Sequence, residues 1–301
     1  MEKKVKRFLS EEINIINKIK NKNWHILYKR KQSSTILNEP SEFLSLFKKT
    51  KSNFFIRRGN DVSKESVKDF SIVKIKDGNY PAIITINGFL TQRNETTDDW
   101  NETIFKKFPN QAWYHVSWES QMLSTLFIQV GNILGMPLIL SIPLLMKPWH
   151  AAMKKAVITG VLLSDVLIHC KKKEFILMGH SLGAKVICSC LTSLAIKKEK
   201  IIFDVHLLGG AEDSDIEQWS NLKRSVTNNI YNYYSKKDRI LQFLYTMGTF
   251  FGSSPIGRNI IKKEGIKNIN CTEFVNGHNN YKPIFYKFLQ MEETSNNIFQ
   301  K

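Results

Sequence analysis

The chain is expected to form an α/β protein, a mostly parallel sheet with helices on both faces. Three observations lead there. From Pro81 onward, short apolar runs alternate with amphipathic stretches of helical period, the order produced by a parallel sheet covered on both sides. The run Phe175-Ile176-Leu177-Met178 passes directly into Gly179-His180-Ser181-Leu182-Gly183 and then into a helical stretch whose Ile187, Leu191 and Leu194 share a face. An aspartate and a histidine follow in polar loops after later strands, and loops at the carboxyl ends of parallel strands are where such sheets hold their chemistry.

Residues 1–76 read as an amino-terminal basic, partly helical appendage. Isoleucines at 13, 15, 16 and 19 and an apolar stripe over Ser41–Lys48 predict short helices there. Ser66–Lys76 alternates as a first strand, with Asp77-Gly78 as the turn after it. The main domain is read as 77–301. Its strands are expected at Ala82–Ile86, Ala112–Trp118, Phe175–Met178, Phe203–Leu208, Asn229–Tyr234 and Asn268–Phe274. Its helices are expected at Asp98–Lys107, Trp149–Cys170, Leu182–Ile196, Asp238–Met247 and Tyr281–Met291.

After the strand at 112–118, no charge appears between Glu119 and Lys147, so residues 120–146 form an apolar insertion. About 20 apolar residues suffice to span a bilayer. A single crossing is nevertheless excluded, because the strands on either side belong to one sheet and would end up on opposite sides of the membrane. Gly131, Gly135, Pro137 and Pro143 are expected to break the run into shorter pieces. Three readings stay open: a buried insertion, a re-entrant hairpin and an apolar lid. The last two imply a lipid-like substrate, and Lys147, Lys154 and Lys155 could then rest on anionic headgroups.

Forty-four Lys and Arg against twenty-seven Asp and Glu give a formal charge of +17, which suggests an anionic membrane surface as partner or a scatter of solvated lysines. The basic clusters Lys3–Arg7 and Tyr28–Lys31 lack the interleaved aromatics of a nucleic-acid reader, so no nucleic acid is expected. Cys170, Cys188, Cys190 and Cys271 have neither a metal spacing nor a disulfide framework and read as core residues of a reducing compartment. The basic Met1–Ser10 has no apolar segment after it, so no signal peptide is expected. The expectation is a cytoplasmic protein with peripheral or re-entrant membrane association.

Gly179-His180-Ser181-Leu182-Gly183 reads G-x-S-x-G. A serine on a tight strand-to-helix turn is pushed outward, where a base reaches its hydroxyl and the next backbone N–H faces a substrate oxygen. Alone the pattern is weak; the later acid and histidine strengthen it. Only His206 and His278 follow Ser181 in the chain. His206 falls inside a predicted strand, which favours a structural role, and His180 within the elbow is directed away from the hydroxyl. His278, in a polar loop after the last strand, is the candidate base. Asp238, after the strand Asn229–Tyr234, is the candidate acid, and as a bare sequence feature it also reads as a helix N-cap; Asp213 and Asp215 are the alternatives. Acyl transfer needs donors for the oxyanion. They are expected from the N–H of Leu182 and from the loop Asn87-Gly88-Phe89-Leu90, with Phe89 preferred and Leu90 next.

With these residues placed, the chain from Pro81 to Tyr281 resembles the α/β-hydrolase family that includes transmembrane and coiled-coil domain-containing protein four. The likeness rests on Asn87-Gly88-Phe89-Leu90-Thr91, Trp118-Glu119-Ser120, Pro148-Trp149, Gly179 to Lys185, Leu207 to Ala211, Trp219, Tyr234-Ser235, Asp238, Leu241, Leu244-Tyr245, Gly277-His278 and Tyr281. Gly210-Ala211-Glu212 departs from the Gly-Ala-Pro more usual in the family. The resemblance implies an α/β-hydrolase fold, hydrolysis of lipid or other esters, and membrane association. The expected activity is that of a serine esterase or lipase using Ser181, His278 and Asp238, with no metal or organic cofactor. A noncatalytic membrane-associated binding protein on the same scaffold, and an acyltransferase with the same triad, are the alternatives.

Overall fold

Alternation of apolar side chains along the strands divides them between two cores, one on each face of a sheet. The computed structural model describes residues 70–88, 97–118, 138–170, 174–214, 216–248 and 254–290; residues 1–69 of the amino-terminal appendage therefore lie outside the described residues, as does 120–137 of the insertion, while the last residues of the appendage form the first strand of the sheet. Among the described residues seven strands form one sheet: β1 (Ser71–Lys76), β2 (Asn79–Ile86), β3 (Gln111–Ser117), β4 (Phe175–His180), β5 (Ile202–Leu208), β6 (Ile230–Tyr234) and β7 (Ile266–Asn270). Their order is β1-β3-β2-β4-β5-β6-β7. β1 runs antiparallel to β3, and every other neighbouring pair is parallel. The sheet is thus mostly parallel, as its near-continuous apolar strands require.

The helices are α1 (Asp98–Lys107), α2 (Leu138–His169), α3 (Leu182–Ile196), α4 (Ile216–Lys223) and α5 (Arg239–Gly248). Ala82, Ile84, Ile86, Phe175 and Leu177 point into the core shared with α2 and α3. Their neighbours Ile83, Ile176 and Met178 point the other way, onto Trp100 of α1 and the carboxyl-terminal Tyr281, Phe285 and Phe288. β4 sits in the middle of the sheet with both faces buried, so its end is fixed from two sides. The cysteines are free thiols, with Cys188, Cys190 and Cys271 buried.

Four elements differ from the sequence expectation. α2 begins at Leu138 and not at Trp149, running through Pro143 and Pro148; Pro143 does not break this part of the run. A proline costs one backbone hydrogen bond and a local clash, but its fixed φ is helical, so a helix this long can carry it. Even so, no helix among the described residues is long and apolar enough to cross a membrane. β7 ends at Asn270 instead of reaching Phe274: Cys271 N–H still donates to Tyr234 O, but Phe274 and Val275 N–H both turn back to Cys271 O. The last helix does not start at Tyr281. Two 3-10 turns, His278–Asn280 and Lys282–Ile284, precede helical residues 285–290, and Pro283, which has no N–H to donate, sits in the first turn of the second, where none is needed. The helix α4 was not foreseen, since with Trp219 and Leu222 as its buried residues it is too short to display a period.

The amino-terminal turn of α3 is tied to the loop after β5 by Lys185, whose ammonium lies 3.1 Å from Glu212 Oε1 with both side chains about 4% exposed. Glu212 Oε1 also accepts the Asp213 N–H. Glu212→Leu is expected to remove the Glu212 carboxylate from the buried Lys185 ammonium and to lower stability in urea unfolding by about 3–5 kcal/mol. The double variant with Lys185→Met is expected to recover most of that loss.

Candidate active site

The site is built where β4 turns into α3. Ser181 has φ 58° and ψ −120°, a left-handed backbone that costs a non-glycine residue about 1–3 kcal/mol. Hydrogen bonds over-determine it: Ser181 N–H donates to Leu208 O at 3.0 Å, while Ser181 O accepts from Ala184 N–H at 3.0 Å and Ala211 N–H at 3.1 Å. The bend also needs backbones in contact. A Cβ on Gly183 would lie 2.2 Å from Ile86 O, and one on Gly88 would lie 2.2 Å from His180 O and 2.5 Å from Leu182 N. No side chain fits either gap.

On this elbow the three residues expected as a triad come together from separate loops. His278 Nε2 lies 2.7 Å from Ser181 Oγ, and His278 Nδ1 lies 2.6 Å from Asp238 Oδ2. With the imidazole neutral, Nδ1–H donates to the carboxylate and Nε2 accepts from the serine hydroxyl. All three side chains are buried, so a charge on the ring would be met by Asp238 and not by water. The other carboxylate oxygen, Oδ1, accepts the Leu241 N–H at 2.9 Å, capping α5. Asp238 therefore carries both readings at once, one on each oxygen. Of the alternative acids, Asp213 turns its Oδ1 to the Ser214 N–H, and Asp215 lies outside the described residues.

The remaining histidines take other places. His206 is buried in β5, with Nδ1 3.1 Å from the Tyr233 hydroxyl and its ring stacked at 4.7 Å on Tyr231. Burial lowers its pKa to about 3. His180 points away from the hydroxyl but is not idle: its Nε2–H donates to the His278 carbonyl at 2.7 Å, fixing the backbone that carries the candidate base. Burial, followed by the neighbouring His278 and Lys282, pushes the His180 pKa well down, which keeps it neutral.

Leu182 occupies the first position of α3, where a backbone N–H has no partner within its helix. Gly88 packs directly beside that nitrogen, so the loop expected to supply the second donor starts at the right place. Phe89 and Leu90 themselves lie outside the described residues. The start of the loop is held by Trp118, which the resemblance includes, and by Trp100 and Lys282, which the sequence reading did not single out. Trp118 Nε1–H donates to Asn87 O at 2.9 Å, Trp100 Nε1–H to Asn87 Oδ1 at 2.9 Å, and Lys282 Nζ to the same oxygen at 3.3 Å. Lys282 is 3% exposed and pairs with Asp99 at 2.7 Å. A lysine is seldom buried, so nothing in the sequence marks it. Arg258 Nη1–H, in turn, donates to the Asp238 carbonyl at 2.7 Å. No group of three or more His, Cys, Asp or Glu residues able to hold a metal occurs among the described residues.

The strand order, the antiparallel first strand and a strained serine after the central strand define an α/β-hydrolase fold. The chain belongs to the family described as "Protein of unknown function (DUF726)", whose model matches residues 132–293. It is 37% identical over 147 residues to "Probable lipase MIL1" of Saccharomyces cerevisiae, covering 48% of this chain and 14% of that protein. It is 31% identical over 137 residues to "Transmembrane and coiled-coil domain-containing protein STS1" of Oryza sativa subsp. japonica, covering 44% and 21%. A match to "Uncharacterized membrane protein F35D11.3" of Caenorhabditis elegans is 36% identical over 142 residues and covers 44% and 23%. The chain thus spans less than a quarter of the length of each of these relatives. Among solved structures it is similar to "Alpha/beta hydrolase domain-containing protein 10 from mouse", with 12% identity, a TM-score of 0.40, and coverage of 81% of this chain and 98% of that one.

Asp238→Asn retains an oxygen for the Leu241 N–H but offers the imidazole an amide donor. The proton is then expected to move from Nδ1 to Nε2 of His278, a change that nitrogen-15 NMR of the ring reads directly. Because the cap survives, the unfolding midpoint is expected to shift by no more than about 1 kcal/mol equivalent.

Proposed function

We propose that the protein is a serine hydrolase that cleaves carboxylic esters, in particular lipid esters, through an acyl-enzyme on Ser181. The observation that carries this is the buried hydrogen-bonded chain from Ser181 Oγ through His278 to Asp238 on a strained elbow. His278 Nε2 takes the hydroxyl proton as Ser181 Oγ attacks the ester carbonyl carbon. The tetrahedral oxyanion is held by the N–H groups of Leu182 and Phe89. As the carbon–oxygen bond to the alcohol breaks, the proton on Nε2 passes to the leaving oxygen. Water then enters, gives a proton to the same nitrogen and attacks the acyl carbon; the bond from that carbon to Ser181 Oγ breaks, the proton on Nε2 returns to Oγ, and the acid leaves. Asp238 keeps the ring in the required tautomer and stabilises its cation throughout.

The lipid assignment is supported by the apolar insertion 120–146 and by the name "Probable lipase MIL1" of the yeast relative. Relatives named as membrane proteins in worm and fission yeast and the +17 charge support action at an anionic membrane surface, reached peripherally.

A fluorophosphonate probe is expected to label the protein and to fail with Ser181→Ala. Asp238→Asn is expected to slow the labelling by a factor on the order of 10³ to 10⁴. Labelling that survives in Ser181→Ala would assign the reactivity elsewhere, and no labelling of the unaltered protein would favour a noncatalytic scaffold. In hydrolysis of esters of graded chain length, rates are expected to rise with acyl length. Equal rates on short soluble esters would remove the lipid assignment, and product analysis with a competing alcohol separates hydrolysis from acyl transfer.

A further inference from the structure

Behind the candidate acid lies an open cleft of about 370 Å³, lined by Lys236, Gln242, Tyr245, Ser254, Arg258 and Asn259. Its chemistry is one-sided. Two cations face it together with amide and hydroxyl groups, and none of its described lining residues is a carboxylate. The nearby Asp238 directs both carboxylate oxygens elsewhere, to His278 and to the Leu241 N–H. Arg258 lines the cleft and uses Nη1 to hold the Asp238 carbonyl, one of the five N–H donors a guanidinium carries. Lys236 is exposed; its backbone N–H is bound to Thr272 Oγ1. Asn259 donates to Ser254 Oγ and, at 3.3 Å, to Pro255 O, so the part of the lining that these residues form is braced. A concave site with a guanidinium fork and an ammonium suits a compact polyoxygen anion.

We propose that this cleft binds a phosphate group, gripped by Arg258 and Lys236. A phosphate can come from a phospholipid headgroup or from a soluble phosphate ester. The site lies outside the Ser181–His278–Asp238 chain, so its occupancy does not depend on the hydrolase reading. It is linked to that chain through the Arg258 bond to the Asp238 backbone.

The test uses the full chain carrying Ser181→Ala, so that failure of the hydrolase reading leaves the result intact. Inorganic phosphate is titrated by phosphorus-31 NMR at constant ionic strength set with chloride. Lys236→Ala is expected to weaken binding by about tenfold, the scale of one hydrogen bond to a charged group. Lys237→Ala removes the same charge from a side chain that points to Asn276 instead, and is expected to leave binding unchanged. Equal losses in the two variants, or no phosphate binding, would overturn the proposal. A second arm measures flotation with phosphatidic acid vesicles against phosphatidylcholine vesicles. Lys236-dependent flotation that inorganic phosphate competes away assigns the group to a lipid headgroup; phosphate binding without such flotation assigns it to a soluble ligand. Arg258→Lys, which keeps a charge but loses the fork, is expected to reduce phosphate affinity while preserving the fold by circular dichroism.

Discussion

The structure depends on one unfavourable backbone conformation. A serine with positive φ after the central strand persists only because its N–H and carbonyl are bonded to the ends of neighbouring elements, through Leu208 O, Ala184 N and Ala211 N. Those bonds can form only if β2, β4 and β5 end at matching heights, which the parallel register Ile86 to Gly179 and Gly179 to Leu207 provides. Burial of β4 on both faces makes that register expensive to change, since a slip would turn each apolar side chain toward the wrong layer. Strain at Ser181 is thus sustained by the sheet as a whole.

A second requirement is that buried polar groups find partners. The turn around Gly257 meets much of it. Gly257 O accepts from the Ser235 N–H at 3.0 Å and from the Tyr281 hydroxyl at 3.2 Å, while Gly257 N–H donates to Gly210 O at 3.0 Å. Arg258, next in sequence, reaches the Asp238 carbonyl. One short turn therefore joins the ends of β5 and β6 to the segment carrying His278. The acid and the histidine stay at hydrogen-bond distance because their supports share a brace. The phosphate cleft is the outer side of the same turn.

The same holds at the loop proposed to face the oxyanion. Asn87 is gripped through both its backbone and side-chain oxygens by two tryptophans and a buried lysine, so the chain enters Gly88 at a fixed angle beside the Leu182 nitrogen. Burial lowers the Lys282 pKa, and its bond and charge pairing with Asp99 oppose that shift; this pairing allows a cation to sit under the loop.

The sequence by itself determined the layered fold and the grouping of Ser181, His278 and Asp238 at loop positions. Strand periodicity and glycine spacing are local properties, and chain order in a parallel sheet brings strand ends to one edge. It also separated His206 and His180 from the base, as strand and elbow positions imply. It did not disclose the length of α2 through Pro143, the early end of β7, or the 3-10 start before residue 285, because where an element starts or stops is set by competing backbone hydrogen bonds, as where Phe274 and Val275 N–H turn back to Cys271 O, and not by periodicity. Least legible were Lys282 and Arg258. Their meaning lies in partners from 20 to 195 positions away, and distance through space is a quantity that only the tertiary structure sets.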